Sequence, residues 1–180
     1  VARLQDRQRR LTGALVALRK PTLAALPGPA AGAGLSIALA CDLRIAAESA
    51  FVTTGYAKIG LSGDYGINWL LSRLVGTGRA REMMLLSARV DARRCELLGL
   101  VNRVVPDERL HDEAFALARE LAQGPTAVFG LIKDNLDDAL KLNFGDALDR
   151  EAERLVASAG TEDHAEAVRA FVERRKPSAG

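Results

Sequence analysis

Residues 28–34, Gly-Pro-Ala-Ala-Gly-Ala-Gly, run into an apolar, small-residue segment from Leu35 to Cys41 that ends at Asp42. The segment reads as a helix with Ala and Leu on all sides, and a helix without a polar face must be buried. A Gly-rich turn opening such a helix brings backbone N–H groups to a surface where no side chain blocks approach. With the positive end of the helix dipole behind them, these donors suit a negative oxygen. A phosphate loop needs Lys after its last Gly, and here Leu35 follows Gly34. A dinucleotide fingerprint needs Gly or Ala where Ile37 stands, and an acidic residue about twenty positions on, which is absent. Two readings remain open on spacing alone: an oxyanion hole for a carbonyl, or a tight turn with close helix packing.

At 180 residues the chain is one domain, or one domain with an appendage. The 25 basic and 23 acidic side chains give a formal charge of +2, which argues against a dedicated nucleic-acid or membrane binder. The run Arg3, Arg7, Arg9, Arg10 reads as a solvated helix face. Cys41 and Cys95 make no disulfide framework, and Cys41, in an apolar run, reads as a small buried hydrophobe. His111 and His164 lie in polar helical segments, and no metal constellation is visible. With no membrane-length segment and no signal peptide, the expected location is cytoplasmic. Val at position 1, already inside a helical pattern, is the expected mark of a fragment or a processed start.

Leu4, Leu11, Leu15 and Leu18 fall on one helical stripe that Pro21 ends. Strands are predicted at Thr22–Leu26, Leu43–Ala46, Phe51–Thr54, Arg89–Val90 and Val101–Val105. Gly55 to Gly66, with four glycines, is a loop. Helices are predicted at Ile67–Leu74, Arg79–Ser87 and Ala92–Leu98, the last stopped by Gly99. Beyond Pro106 the pattern is wholly helical: Glu108–Gln123, Thr126–Leu140, Phe144–Ala159 and Thr161–Arg175, with Thr161 as an N-cap. The chain is thus α/β over residues 1–105 and helical over 106–180.

Four stretches resemble the enoyl-CoA hydratase/isomerase, or crotonase, family: Lys20-Pro21 through Gly28 to Cys41-Asp42; Ala50-Phe51 with Lys58-Ile59-Gly60-Leu61; Gly99 through Pro106; and Ala170 through Arg175. The resemblance implies a crotonase-like spiral of ββα units, residues 1–105 forming its C-terminal part. It also implies a helical C-terminal region used to form a homotrimer or dimer of trimers. The implied ligand is an acyl-CoA thioester, with coenzyme A as part of the substrate and no further cofactor.

Removing a proton from the α-carbon of a thioester turns its carbonyl into an enolate oxyanion, which two backbone N–H groups stabilise without reorganising. By the resemblance one donor is the Ala33 N–H, between Gly32 and Gly34, and the other comes from a segment upstream of residue 1. Ser36 and Tyr56 stand where the family's hydratases use two glutamates, and neither can act as a carboxylate base. Asp64 stands where some isomerase-type members carry the proton-transferring acid. One carboxylate can take a proton from one carbon and return it two carbons away. Read from local sequence alone, Asp64 also fits a loop acid in an Asx-turn between glycines. Ser36 as a nucleophile would need a base in reach, and both histidines lie far along the helical tail. Tyr56, Tyr65 and Trp69 either wall an acyl pocket or fill space. Phe171 and Arg174 match positions that touch the adenine end of coenzyme A in some members; ordinary helix packing and a solvated arginine are the alternative.

The expected function is therefore an enoyl-CoA isomerase with Asp64 and Ala33 as its catalytic groups. Gly32, Gly34, Ser36, Tyr56, Tyr65, Phe171 and Arg174 are the candidate substrate contacts. The alternatives are a 2-enoyl-CoA hydratase and a non-catalytic CoA-binding or structural protein of the same fold.

Overall fold

The computed structural model describes residues Val1–Arg175. The leucine stripe lies on one run of helix: α1 (Ala2–Gln8), a π-helical turn (Arg9–Gly13) and α2 (Ala14–Ala17). The run stops where Leu18 becomes extended, three residues before Pro21. Next come β1 (Leu23–Leu26), β2 (Ala30–Ala31) and α3 (Gly32–Ala40). The chain then forms β3 (Leu43–Ala47), β4 (Phe51–Thr53) and a 3-10 turn (Ala57–Ile59). Helix α4 (Ile67–Leu86) is helical on both sides of Gly76, whose φ of 74° and ψ of 163° break it where the Gly-Thr-Gly sequence predicts two helices. It is followed by β5 (Val90–Asp91), α5 (Ala92–Leu97), β6 (Arg103–Val105), a 3-10 turn (Asp107–Arg109) and α6 (Leu110–Ala122).

The pairing gives the architecture. β1, β3 and β6 form one parallel sheet in that order; β2 and β4 pair in parallel in a second sheet, closed by β5 antiparallel to β4. β1–β2–α3 and β3–β4–α4 are therefore successive ββα units, each giving one strand to each sheet, so that the second unit stacks on the first. Parallel neighbours require crossovers of this kind. β2 escapes sequence reading because two alanines carry no pattern. It is a strand only through its register against Val52 and Thr53.

Helix α3 is covered as its composition demands: Leu35, Ser36, Ala38, Leu39 and Ala40 are all buried. Ile45 of β3, Ile67 and Leu71 of α4, and Leu100 complete the core, each at most 1% exposed. Each predicted strand differs from the observed one by at least one residue, and at two of them the cause is visible. β5 is shifted one residue, to Val90–Asp91, because Asp91 both pairs with Phe51 and caps α5, its Oδ1 accepting from the Arg94 N–H at 2.7 Å. β6 starts only at Arg103, because the Val101 N–H turns back to Cys95 O. Cys41 is half-buried rather than buried, since it caps α3; Cys95 is the buried thiol, and desolvation pushes its pKa up to about 12.

The chain divides into two compact units: residues 1–18 with 22–118, and residues 19–21 with the chain from Arg119 onward. The second contains α7 (Thr126–Ala139), α8 (Phe144–Ala159) and α9 (Glu162–Val172). Arg154 of α8 bridges to α7 through Asn135 Oδ1 (2.7 Å) and Asp138 Oδ2 (2.6 Å). Thr161 caps α9 by accepting from the His164 N–H, as its sequence position predicts. Among the described residues no helix is long and apolar enough to cross a membrane, and no group of three or more His, Cys, Asp or Glu could hold a metal ion.

Candidate active site

The turn into α3 needs glycine at one position. Gly32 has φ +51°, in the left-handed region, while Ala31 before it is extended. The chain thereby leaves β2 and enters α3 directly, and no side chain caps the first turn of the helix. Ala33 lies in this first turn, where an N–H has no acceptor within its own helix. An alanine leaves this N–H as available as a glycine would, because the group is backbone and not side chain.

Above this turn sits the loop from Gly60 to Gly66, whose backbone is fixed at several points. Gly60, Gly63 and Gly66 have φ of +71°, +110° and +81°, and Tyr65 itself is at +50°. Gly66 opens α4. The Tyr65 N–H donates to Gln8 Oε1 of α1 at 2.5 Å, and Asn68 Nδ2 donates to Ser62 O at 3.1 Å. A Cβ at Gly63 would lie 2.8 Å from Ile67 Cγ2 and 2.9 Å from Asn68 Nδ2. Gly63→Ala is therefore expected to cost about 1–3 kcal/mol, and to reduce turnover through the displaced loop. Denaturant titration alongside kinetics checks this; unchanged stability and rate would mean that the loop relaxes freely.

The loop carries Asp64, half-buried, and the side chains around it converge. The Tyr56 hydroxyl donates to Asp64 Oδ1 at 2.5 Å. The buried Ser36 Oγ of α3 lies 3.2 Å from both Gly32 O and Asp64 O, joining the Ala33 turn to the backbone of the acid. The Tyr56 ring is 5% exposed and crosses the turn: a Cβ on Gly32 would lie 3.8 Å from its Cζ and hydroxyl oxygen. Burial raises the Tyr56 pKa; its hydrogen bond to Asp64 raises it further, and Ser36 opposes them. Asp64 Oδ2 has no hydrogen-bond partner among the described residues. A carboxylate held by one oxygen and open at the other, next to free helix N–H groups, can move a proton beside a developing oxyanion.

Gly32, Ala33, Gly34, Ser36, Tyr56, Asp64 and Tyr65 thus lie in one neighbourhood of the first unit. Trp69 projects from α4, 43% exposed, with Arg73 stacked 3.6 Å from its ring centroid. Phe171 and Arg174 belong to the second unit: Phe171 is 84% exposed on α9, and Arg174 follows that helix with φ +54°. Sequence reading passed over Gln8, because nothing local marks a glutamine on a polar helix as the acceptor for a loop amide 57 residues away. It also passed over the buried Thr54, whose Oγ1 donates to Met83 O (2.8 Å) and lies 3.0 Å from Ser87 Oγ, tying the end of β4 to the end of α4.

Comparison with known proteins finds similarity over nearly the whole chain. The family model described as enoyl-CoA hydratase/isomerase matches residues 2–179. The chain is 39% identical over 163 residues to 1,2-epoxyphenylacetyl-CoA isomerase of Escherichia coli, covering 91% of this chain and 62% of that protein. It is 33% identical to 4-chlorobenzoyl coenzyme A dehalogenase-1 of Arthrobacter sp, covering 87% of this chain and 57% of that protein. The crystal structure of an enoyl-CoA hydratase from Polaromonas sp. JS666 superposes with a TM-score of 0.91 at 32% identity, over 95% of this chain and 66% of that one. The chain thus spans roughly three-fifths to two-thirds of the length of these proteins.

Proposed function

The chain belongs to the enoyl-CoA hydratase/isomerase family, and from that premise we propose that it serves an acyl-CoA isomerase that moves a carbon–carbon double bond through a thioester enolate. Asp64 Oδ2 takes a proton from the α-carbon of a 3-enoyl thioester. The electron pair delocalises onto the thioester oxygen, where the Ala33 N–H stabilises the negative charge. Asp64 then returns the proton two carbons away, giving the conjugated 2-enoyl thioester with no net loss or gain of atoms. A single donor of this type contributes about 100- to 1,000-fold in rate. The isomerase among the relatives, named for an epoxyphenylacetyl-CoA, supports isomerisation of an acyl-CoA ester, and the double bond as the group moved rests on Asp64. The exposed Leu136, Leu148 and Leu155 of the helical unit leave an apolar face to be covered, which fits the proposed self-association without fixing its number of copies.

The observation that carries the proposal is that Asp64 has no second carboxylate in hydrogen-bond contact with it among the described residues. Ser36 and Tyr56 gather around Asp64 without adding a second acid. Hydration needs a water held and activated, commonly by more than one such group; migration needs one group that gives back what it takes. Incubation with a 3-enoyl-CoA and, separately, a 2-enoyl-CoA tests the reading. The expected product of the first is the conjugated isomer of unchanged mass. A product heavier by one water from either substrate, without isomer, would overturn it in favour of a hydratase.

A further inference from the structure

The Tyr56–Asp64 hydrogen bond engages one carboxylate oxygen and leaves the other open. We infer that Tyr56 is a positioning residue: by holding Oδ1 it makes Oδ2 the single oxygen that exchanges protons with substrate, so that the proton taken is the proton returned. The inference rests on the proposed acid–base role of Asp64 and adds a stated task for a side chain otherwise counted as pocket wall.

The terminal torsion of an aspartate is broad and nearly two-fold, so a free carboxylate presents either oxygen at little cost. A proton captured on one oxygen can then rotate away from the enolate and exchange with water. The phenol prevents that rotation only if it is itself fixed, and it is. Its ring is 5% exposed and packs against Gly32, where only a hydrogen stands in place of a methyl. The backbone of the acid is fixed independently, by Ser36 Oγ against Asp64 O and by Gln8 against the next amide. With backbone and Oδ1 both held, the direction of Oδ2 is determined. The raised pKa of Tyr56 agrees with a phenol facing a carboxylate and keeps it a hydrogen-bond donor across the working pH range.

Two measurements test this. In the first, a 3-enoyl-CoA deuterated at its α-carbon is turned over in ordinary water by the wild type and by Tyr56→Phe. Loss of a hydrogen bond to a charged group predicts a fall in kcat of about ten- to a hundredfold, with KM within about twofold. The fraction of deuterium retained in the product should fall severalfold. Retention equal to wild type, whatever the change in kcat, would overturn the selection of one oxygen, since a purely structural tyrosine leaves that fraction alone.

The second measurement needs no turnover. In a Tyr65→Phe background, ultraviolet titration follows Tyr56 with Asp64 intact and with Asp64→Asn. Tyr56 should ionise at lower pH once the facing charge is gone, and an unchanged titration would overturn the contact. A wild type that moves no double bond defeats the proposed function alone, and the titration then decides whether Tyr56 holds Asp64.

Discussion

Asp64→Asn is expected to lower kcat for double-bond migration by about 10²- to 10⁴-fold, the usual contribution of a positioned acid–base group, while KM for the CoA ester changes little. Asparagine has the shape of aspartate and keeps an oxygen that can accept from the Tyr56 hydroxyl. The loop set by Gly63, Gly66 and the Gln8 contact has no reason to move, so the variant removes proton transfer and little else. A residual rate above background is expected, because in the proposed mechanism the Ala33 N–H would still stabilise the thioester oxygen. Steady-state kinetics with product analysis checks the prediction. Turnover near wild type would remove Asp64 from the mechanism, and the isomerase reading with it.

The parts of this site that rest on backbone chemistry were legible in the sequence. Gly32-Ala33-Gly34 before an all-apolar helix announces an uncapped N-terminus, and the structure has Gly32 at the positive φ that such a turn needs. Four glycines between residues 55 and 66 announce an irregular loop, and all four take positive φ. What could not be read was which distant groups meet there. Tyr56 and Asp64 are eight residues apart and separated by a 3-10 turn, so neither helical nor strand periodicity relates them. Ser36 could be judged unfit as a nucleophile, yet its use as a tie between two backbones depends on the stacking of α4 on α3. Element lengths failed where side chains took over backbone pairing: Asp91 ended β5 by capping α5, and the Asn102 side chain stood in for a strand partner beside Arg44. The alternation of β and α up to Val105 was readable. The division of strands between two sheets was not, because it depends on a two-residue strand without a pattern.

Arg44 presents the largest expected effect on stability. It lies in β3, the middle strand of the parallel sheet, and is 3% exposed. A charge inside so apolar a run, Leu43 to Ala47, is the sequence signal that could have marked it, since central parallel strands are covered on both faces. The guanidinium donates through Nε to Leu100 O at 2.6 Å and through Nη1 to Cys41 O at 2.5 Å. Its backbone N–H donates to Asn102 Oδ1 at 2.8 Å, and its carbonyl accepts from the Asn102 N–H at 2.9 Å. One side chain thus joins the C-terminal end of α3, the central strand and the segment that leads into β6. Burial lowers its pKa, while the neighbouring Cys41 and Asp42 pull in the opposite direction. Replacement by alanine strands the buried Leu100 carbonyl, at about 1–3 kcal/mol, removes one donor from the half-buried Cys41 carbonyl, and empties the space of the alkyl stem. Arg44→Ala should therefore lose about 3–5 kcal/mol, a large share of the roughly 5–15 kcal/mol that folds an ordinary domain. Arg44→Met refills most of the volume but satisfies neither carbonyl, so it should recover only the packing part of the loss. Arg44→Lys keeps the charge but cannot span both acceptors with one planar fork, and should fall between wild type and methionine. Equilibrium unfolding in urea ranks the series. A loss below about 1 kcal/mol for alanine would mean that water or a neighbouring group satisfies the two carbonyls, and that Arg44 does not clamp the sheet.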